Sequence, residues 1–130
     1  MFFSQGIDII EVCRIKKIYR RFGDLFLKKV LTDNEIKNLN GKRLVYRIAN
    51  RFAAKEAIVK ALGTGFRKEI SFKDIEISNN VLGKPEVIFL KNAKTQIKKN
   101  RKNIDQNDVY ISISDEKKYV VAVATIFSDK

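Results

Sequence analysis

Residues 51–65 read RFAAKEAIVKALGTG. Four alanines, Ala53, Ala54, Ala57 and Ala61, share this stretch with Glu56 and Lys60, one helical turn apart. The pattern predicts the end of a helix running from about Lys42 to Leu62 and stopping at Gly63. On an exposed helix face such an i,i+4 pair contributes only about 0.3–0.5 kcal/mol. E-x-x-x-K is common, and a surface salt bridge is its plainest reading. The alanines leave the helix surface thin, so another backbone or a ligand could approach closely. The glycines of GTG follow the helix rather than precede it, so they read as a C-cap and not as a phosphate-cradling loop that opens a helix.

Upstream, Gln5–Ile10 reads as a short strand with Ile7, Ile9 and Ile10 available for burial. Asp8 lies inside it. A carboxylate there is costly unless it is exposed, paired or bound to a metal. A helix is expected over about Glu11–Lys28, with an apolar stripe of Val12, Ile15, Tyr19, Phe22 and Phe26. Arg14, Lys17 and Arg21 occupy another face of it. Thr32 and Glu35 form a T-x-x-E capping box that opens a short helix, broken by Gly41.

Downstream, Ile70–Ser78 and Pro85–Leu90 read as partner strands around a turn at Asn79–Lys84. Ala93–Asn103 is helix-compatible, and Lys91–Asn103 carries six Lys or Arg and no acid. Val109–Ser114 and Tyr119–Phe127 read as a hairpin across DEKK, near-continuously apolar or small, so at least one strand is expected to be central and buried on both faces. The class is α+β, mostly antiparallel sheet packed with a long helix, in a single domain over residues 1–130.

The bulk numbers bound the chemistry. The net charge of +12 implies an anionic partner: nucleic acid, a phosphorylated small molecule or an acidic protein. There is no histidine, which removes Ser-His-Asp and Cys-His catalysis and the commonest transition-metal ligand. Carboxylates, lysine, arginine, backbone or a hard metal ion must do any catalysis. The single cysteine, Cys13, excludes an internal disulfide and fits a reducing, cytoplasmic setting. The N-terminus reads as a strand rather than a signal peptide, and no apolar run is long enough to span a bilayer. Asp8 and Glu56 allow a Mg²⁺-type site. A basic nucleic-acid-binding module is the rival. No nucleic-acid motif stands out, and the aromatics look like core stripe rather than a stacking platform.

Five segments change that balance together. GIDIIEVCRI at 6–15, RFAAKEAIVKALGTG at 51–65, ISFKDIEI at 70–77, GKPEV at 83–87 and ISISDEKKYVVAVA at 111–124 occur in one order. The chain resembles the holo-acyl-carrier-protein synthases, the small trimeric class of 4′-phosphopantetheinyl transferases, over nearly its whole length. The resemblance implies that fold, and Mg²⁺-dependent (or Mn²⁺-dependent) transfer of 4′-phosphopantetheine from coenzyme A to a serine of apo acyl carrier protein. The by-product is adenosine 3′,5′-bisphosphate, and the setting is fatty acid biosynthesis in the cytoplasm.

Residue by residue, it implies that Asp8 and Glu56 hold the metal and that Lys60 sits beside the reacting phosphate. Glu56 is also the candidate acceptor for the serine proton. Lys42, Arg43 and Arg51 match positions near the nucleotide phosphates of coenzyme A. Gly63, Thr64, Gly65, Gly83, Lys84 and Pro85 match loops lining the adenosine end. Arg14, Lys17 and Arg21 match the face that docks the acidic carrier protein. A homotrimer with sites between subunits is implied, with neither nucleic acid nor membrane as partner. One segment departs: where relatives usually carry histidine near coenzyme A, this chain has Asp115, followed by Glu116. An acid there should repel a phosphate, unless it serves the adenine or a water, or Lys117 or Lys118 substitutes. That departure keeps open a non-catalytic carrier-protein binder.

Overall fold

Side chains on a strand alternate between faces, and the first strand shows what that alternation decides. In the computed structural model, which describes residues 1–63, 70–100 and 103–130, β1 spans Phe2–Glu11. Gly6 and Ile10 are buried, and Asp8 lies on their face. Ile7 and Ile9 point the other way and are 60% and 62% exposed. Of Ile7, Ile9 and Ile10, all expected to be available for burial, only Ile10 is buried. Neighbours on a strand cannot face the same side, and the core takes Ile10.

β1 pairs with β5 (Tyr119–Ser128), which also pairs with β4 (Val109–Asp115), giving an antiparallel sheet of order β1-β5-β4. The hairpin strand β5 is therefore central, as its apolar run predicts, but the expected burial on both faces is corrected. Its outward residues stay partly exposed, because among the described residues no layer covers that side of the sheet in the single chain. Asp8 stands opposite Ala122, and Gly6 opposite Ala124. Val120, Ala122, Ala124 and Ile126 are fully buried on the inner face of β5.

Against that face lies α4 (Leu44–Leu62). Ile48, Ala49, Ala53, Ala54, Ala57 and Ile58 are fully buried, which makes this a core helix rather than a surface one. Its end at Gly63 is as predicted: Gly63 adopts φ 81°, and its N–H donates to the Val59 and Lys60 carbonyls. Its start falls two residues later than expected, with Arg43 as N-cap.

The expected long first helix is broken into α1 (Val12–Phe22) and α2 (Asp24–Val30). Gly23, at φ 53° and with its N–H closing onto the Tyr19 carbonyl, makes the break. Phe22 consequently stays 49% exposed instead of completing the stripe. The capping box at Thr32 and Glu35 forms and opens α3 (Asp33–Lys37), which ends at Asn38, ahead of Gly41.

A second antiparallel sheet pairs β2 (Ile75–Asn79) with β3 (Pro85–Phe89). β2 begins later than the expected Ile70, because Ser71 and Asp74 cap a 3₁₀ turn over Phe72–Asp74. Asn80 organises the hairpin tip, its Oδ1 accepting from the Leu82 and Lys84 N–H groups, and Gly83 adopts φ 84°. α5 runs over Lys91–Asn100, slightly earlier than predicted. No helix among the described residues is long and apolar enough to cross a membrane.

Candidate active site

Gly6 sits where β1 touches α4 with nothing between the two backbones. A Cβ at this position would overlap the Ala57 carbonyl oxygen, and would stand 2.6 Å from the Ala61 nitrogen and 2.9 Å from Lys60 Cβ. Only glycine permits that approach. Two residues further along the same strand face comes Asp8, and the turn of α4 beside it carries Glu56 and Lys60. The glycine, together with the alanines of α4, brings a strand carboxylate onto a helix pair far away in sequence.

The structure pairs Lys60 across to the strand. Its Nζ donates to Asp8 Oδ1 at 3.2 Å and to the Ile7 carbonyl at 3.0 Å. The Lys60 side chain is half exposed while that of Asp8 is largely covered. Glu56 is held with its pKa above the ordinary carboxylate value, chiefly by burial and then by the negative charge of Asp8, with Lys60 opposing both. Two carboxylates and one ammonium leave this cluster with a net negative charge in partly desolvated surroundings.

No cluster of three or more His, Cys, Asp or Glu suited to a metal occurs among the described residues. The Asp8–Glu56 pair supplies two hard oxygen donors, which fits a hard divalent cation that takes its remaining ligands from water and substrate phosphate.

The other expected residues lie elsewhere on the chain. Arg43 borders a cleft of about 810 Å³ between the start of α1, the start of α4 and the β4–β5 turn, with Lys16, Lys117 and Lys118. Lys42 is exposed next to it, its carbonyl accepting from Arg47 Nε. Asp115 meets Arg43 Nη2 at 3.5 Å. Arg51 lines a different hollow with Arg47, Asn34 and Ser78. Burial lowers its pKa, the Glu35 carboxylate opposing and Arg47 adding to the fall. Lys84 and Pro85 line a third hollow beside the β2–β3 hairpin, with Gly83 at the exposed tip. None of these three hollows is lined by Asp8, Glu56 or Lys60. Gly63 caps α4, whereas Thr64 and Gly65 fall outside the described residues. Arg14, Lys17 and Arg21 are all exposed on α1.

Comparison with known proteins decides the family. A model of the 4′-phosphopantetheinyl transferase superfamily matches residues 4–124. The chain belongs to that superfamily. It is 45% identical to the holo-[acyl-carrier-protein] synthase of Chloroherpeton thalassium over 96% of this chain and 98% of that protein. The crystal structure of holo-[acyl-carrier-protein] synthase from Neisseria meningitidis superposes with a TM-score of 0.87 at 34% identity, covering 96% of this chain and 98% of the other. The Helicobacter pylori synthase, solved in complex with coenzyme A, gives 0.81 at 35% identity, with 95% and 99% covered. The chain is thus a transferase with the fold of these synthases.

One group in this transferase escaped the sequence reading. Lys55, next to Glu56, is fully buried. Its Nζ donates to Glu35 Oε1 at 2.6 Å, the Val30 carbonyl at 2.7 Å and the Phe72 carbonyl at 3.0 Å. Glu35 Oε2 accepts from the Ile77 N–H, and Glu76 Oε1 from the Thr32 hydroxyl. Burial lowers the Lys55 pKa, while Glu35 pulls it back up. The signal was available: Lys55 interrupts a run of buried alanines on a helix buried on nearly every side.

Proposed function

We propose that this transferase moves the 4′-phosphopantetheine arm of coenzyme A onto a serine hydroxyl of apo acyl carrier protein, releasing adenosine 3′,5′-bisphosphate, in the cytoplasm and in the service of fatty acid biosynthesis. The observation that carries the reading is the Asp8–Glu56–Lys60 cluster, assembled by the Gly6 contact between β1 and α4. Asp8 and Glu56 would hold a Mg²⁺ ion, or Mn²⁺ in its place. Bound there, a divalent cation supplies Lewis-acid polarisation of the diphosphate.

The chain's own groups do the rest. The serine oxygen forms a bond to the pantetheine-side phosphorus, and the bond from that phosphorus to the bridging oxygen breaks. Glu56, whose burial and neighbouring Asp8 raise its affinity for a proton, accepts the serine proton. Lys60, half exposed and free to swing from Asp8, offsets the charge that develops on the leaving bisphosphate. Lys42, Arg43 and Arg51 bind the nucleotide phosphates, and Gly63, Thr64, Gly65, Gly83, Lys84 and Pro85 line the adenosine end. Arg14, Lys17 and Arg21 meet the acidic carrier protein, where complementary charge speeds encounter and sets orientation.

Within one chain the nucleotide cations are dispersed over separate hollows away from Asp8 and Glu56. That dispersal supports a site completed by a neighbouring subunit of a homotrimer. The outer face of the sheet supports it too: Phe3, Ile7, Ile9, Tyr110 and Phe127 are between 42% and 62% exposed, on strands in register. An apolar sheet face of this kind marks an interaction surface.

The test is mass gain of an apo acyl carrier protein incubated with coenzyme A, with and without Mg²⁺. Transfer is expected only with the metal, and Asp8→Ala and Glu56→Ala each should lower it at least ~100-fold while melting like the parent. Full turnover by both variants would overturn the assignment. Sedimentation should give the trimer mass, and a monomer active at every concentration would overturn the shared site.

A further inference from the structure

Arg43 is the one non-glycine residue with positive φ among the described residues, at φ 58° and ψ 33°. A left-handed arginine is disfavoured, and such conformations collect at functional sites. The turn aims the side chain back over its own helix, where the guanidinium lies 4.7 Å from the centre of the Tyr46 ring. Tyr46 is itself tied down, its hydroxyl donating to the Lys117 carbonyl at 2.8 Å. The Tyr46 ring is therefore one support of the Arg43 guanidinium that is not an acid.

Asp115 nevertheless meets it, through a single contact of 3.5 Å between Nη2 and Oδ1. The contact is long and one-pronged, with the Arg43 side chain 63% exposed and that of Asp115 27%. Guanidinium prefers a two-pronged grip on an anion, which this aspartate does not provide. The other hairpin acid is occupied: Glu116 Oε1 accepts from the Lys118 and Tyr119 N–H groups. Around the cleft stand three further cations, Lys16, Lys117 and Lys118, and one acid, Glu11. Asp115 thus places a carboxylate on a cation of a basic cleft that the Tyr46 ring also holds.

We propose that Asp115 is a built-in counter-ion of Arg43: it occupies the guanidinium until a phosphate of coenzyme A replaces it, and so weakens retention of both coenzyme A and the bisphosphate product. This rests on the reading that Arg43 binds the nucleotide end of coenzyme A. A phosphate carries more charge and three acceptor oxygens, so it displaces the aspartate, but it must then sit near a freed carboxylate. The chain would trade affinity for release.

Calorimetric titration of coenzyme A and of adenosine 3′,5′-bisphosphate tests this, using the full-length protein, Asp115→Asn, Arg43→Ala and the double variant, with melting curves for each. Arg43→Ala should weaken coenzyme A binding. Asp115→Asn should tighten both ligands about two- to fivefold, less so at high salt, and should have no effect when Arg43 is already alanine. Unchanged or weaker binding in Asp115→Asn, with Arg43→Ala still damaging, overturns the counter-ion and leaves the coenzyme A reading standing. Tightening that persists without Arg43 also overturns it, since Asp115 would then act as a diffuse repulsive charge. If Arg43→Ala binds like the parent, the cleft is not the nucleotide site, and the counter-ion role falls with it.

Discussion

Two lysines five residues apart on α4 carry the same charge and each pairs with one carboxylate, yet they do opposite work. Lys55 is fully buried, and its three ammonium hydrogens are spent on Glu35, Val30 and Phe72. It links the end of α2, the capping box of α3 and the 3₁₀ turn before β2. Lys60 is half exposed and holds only Asp8 and the Ile7 carbonyl, at 3.2 and 3.0 Å. A buried charge must be satisfied completely to be tolerated, and a completely satisfied charge is immobile. Of the two, only Lys60 has incomplete surroundings, which is why the proposed chemistry is assigned to it.

The largest effect should come from Lys55→Ala. It strands Glu35 and two carbonyls in the interior, and a loss of about 3–5 kcal/mol is expected in urea unfolding. A loss below about 1 kcal/mol would mean that the ion pair carries little of the fold. Next comes Gly6→Ala, which forces strand and helix apart. About 1–3 kcal/mol of stability should go, and transfer should fall by more than lost folded protein explains. Equal losses of activity and folded fraction would separate the Gly6 contact from the site's spacing.

Lys60→Ala should change stability by less than about 1 kcal/mol, being exposed. If the residue offsets charge in the transition state, kcat should drop roughly tenfold or more while the coenzyme A affinity moves less. A fall in affinity with kcat intact would make Lys60 a binding group instead.

The smallest effect concerns Glu56 in protein kept free of divalent cation. Folding raises its pKa above the ordinary value of 4.5. The folded state therefore holds the proton more tightly than the unfolded one, and stability contributed by protonated Glu56 declines as pH rises through that window. Glu56→Gln should remove this slope, leaving an inactive variant slightly more stable than the parent near neutrality. Melting temperatures across mildly acidic to neutral pH would show it, and identical slopes in both proteins would count against the shift.

Periodicity made the elements legible. The apolar run of β5, the small-residue helix ending at Gly63 and the T-x-x-E box each form an element where the pattern puts one. What periodicity could not supply was which face of a strand meets which neighbour. Ile7 and Ile9 look like core by composition and lie outside, while Asp8 looks exposed and lies inside, because that choice belongs to the partner helix. Gly23 broke one amphipathic stripe into two helices, since a single left-handed residue redirects a chain whose apolar pattern continues past it. Glu56 and Lys60 were visible as a pair, but their partner Asp8 becomes a neighbour only through a contact between residues some fifty positions apart. The sequence flags Lys55 only as a charge among alanines; its partners lie in three other segments of the chain, so its role takes the fold to read.

The Gly6 contact has a consequence for how the site ages. Spacings set by side-chain packing drift as core residues are exchanged, because every swap of volume shifts rotamers nearby. Here the gap between the strand and the turn of helix bearing Glu56 is a hard stop, backbone resting against backbone with no adjustable part in between. The rest of the core can be rewritten piecemeal over long periods, and the two carboxylates will still be delivered to the same separation, as long as position 6 stays bare.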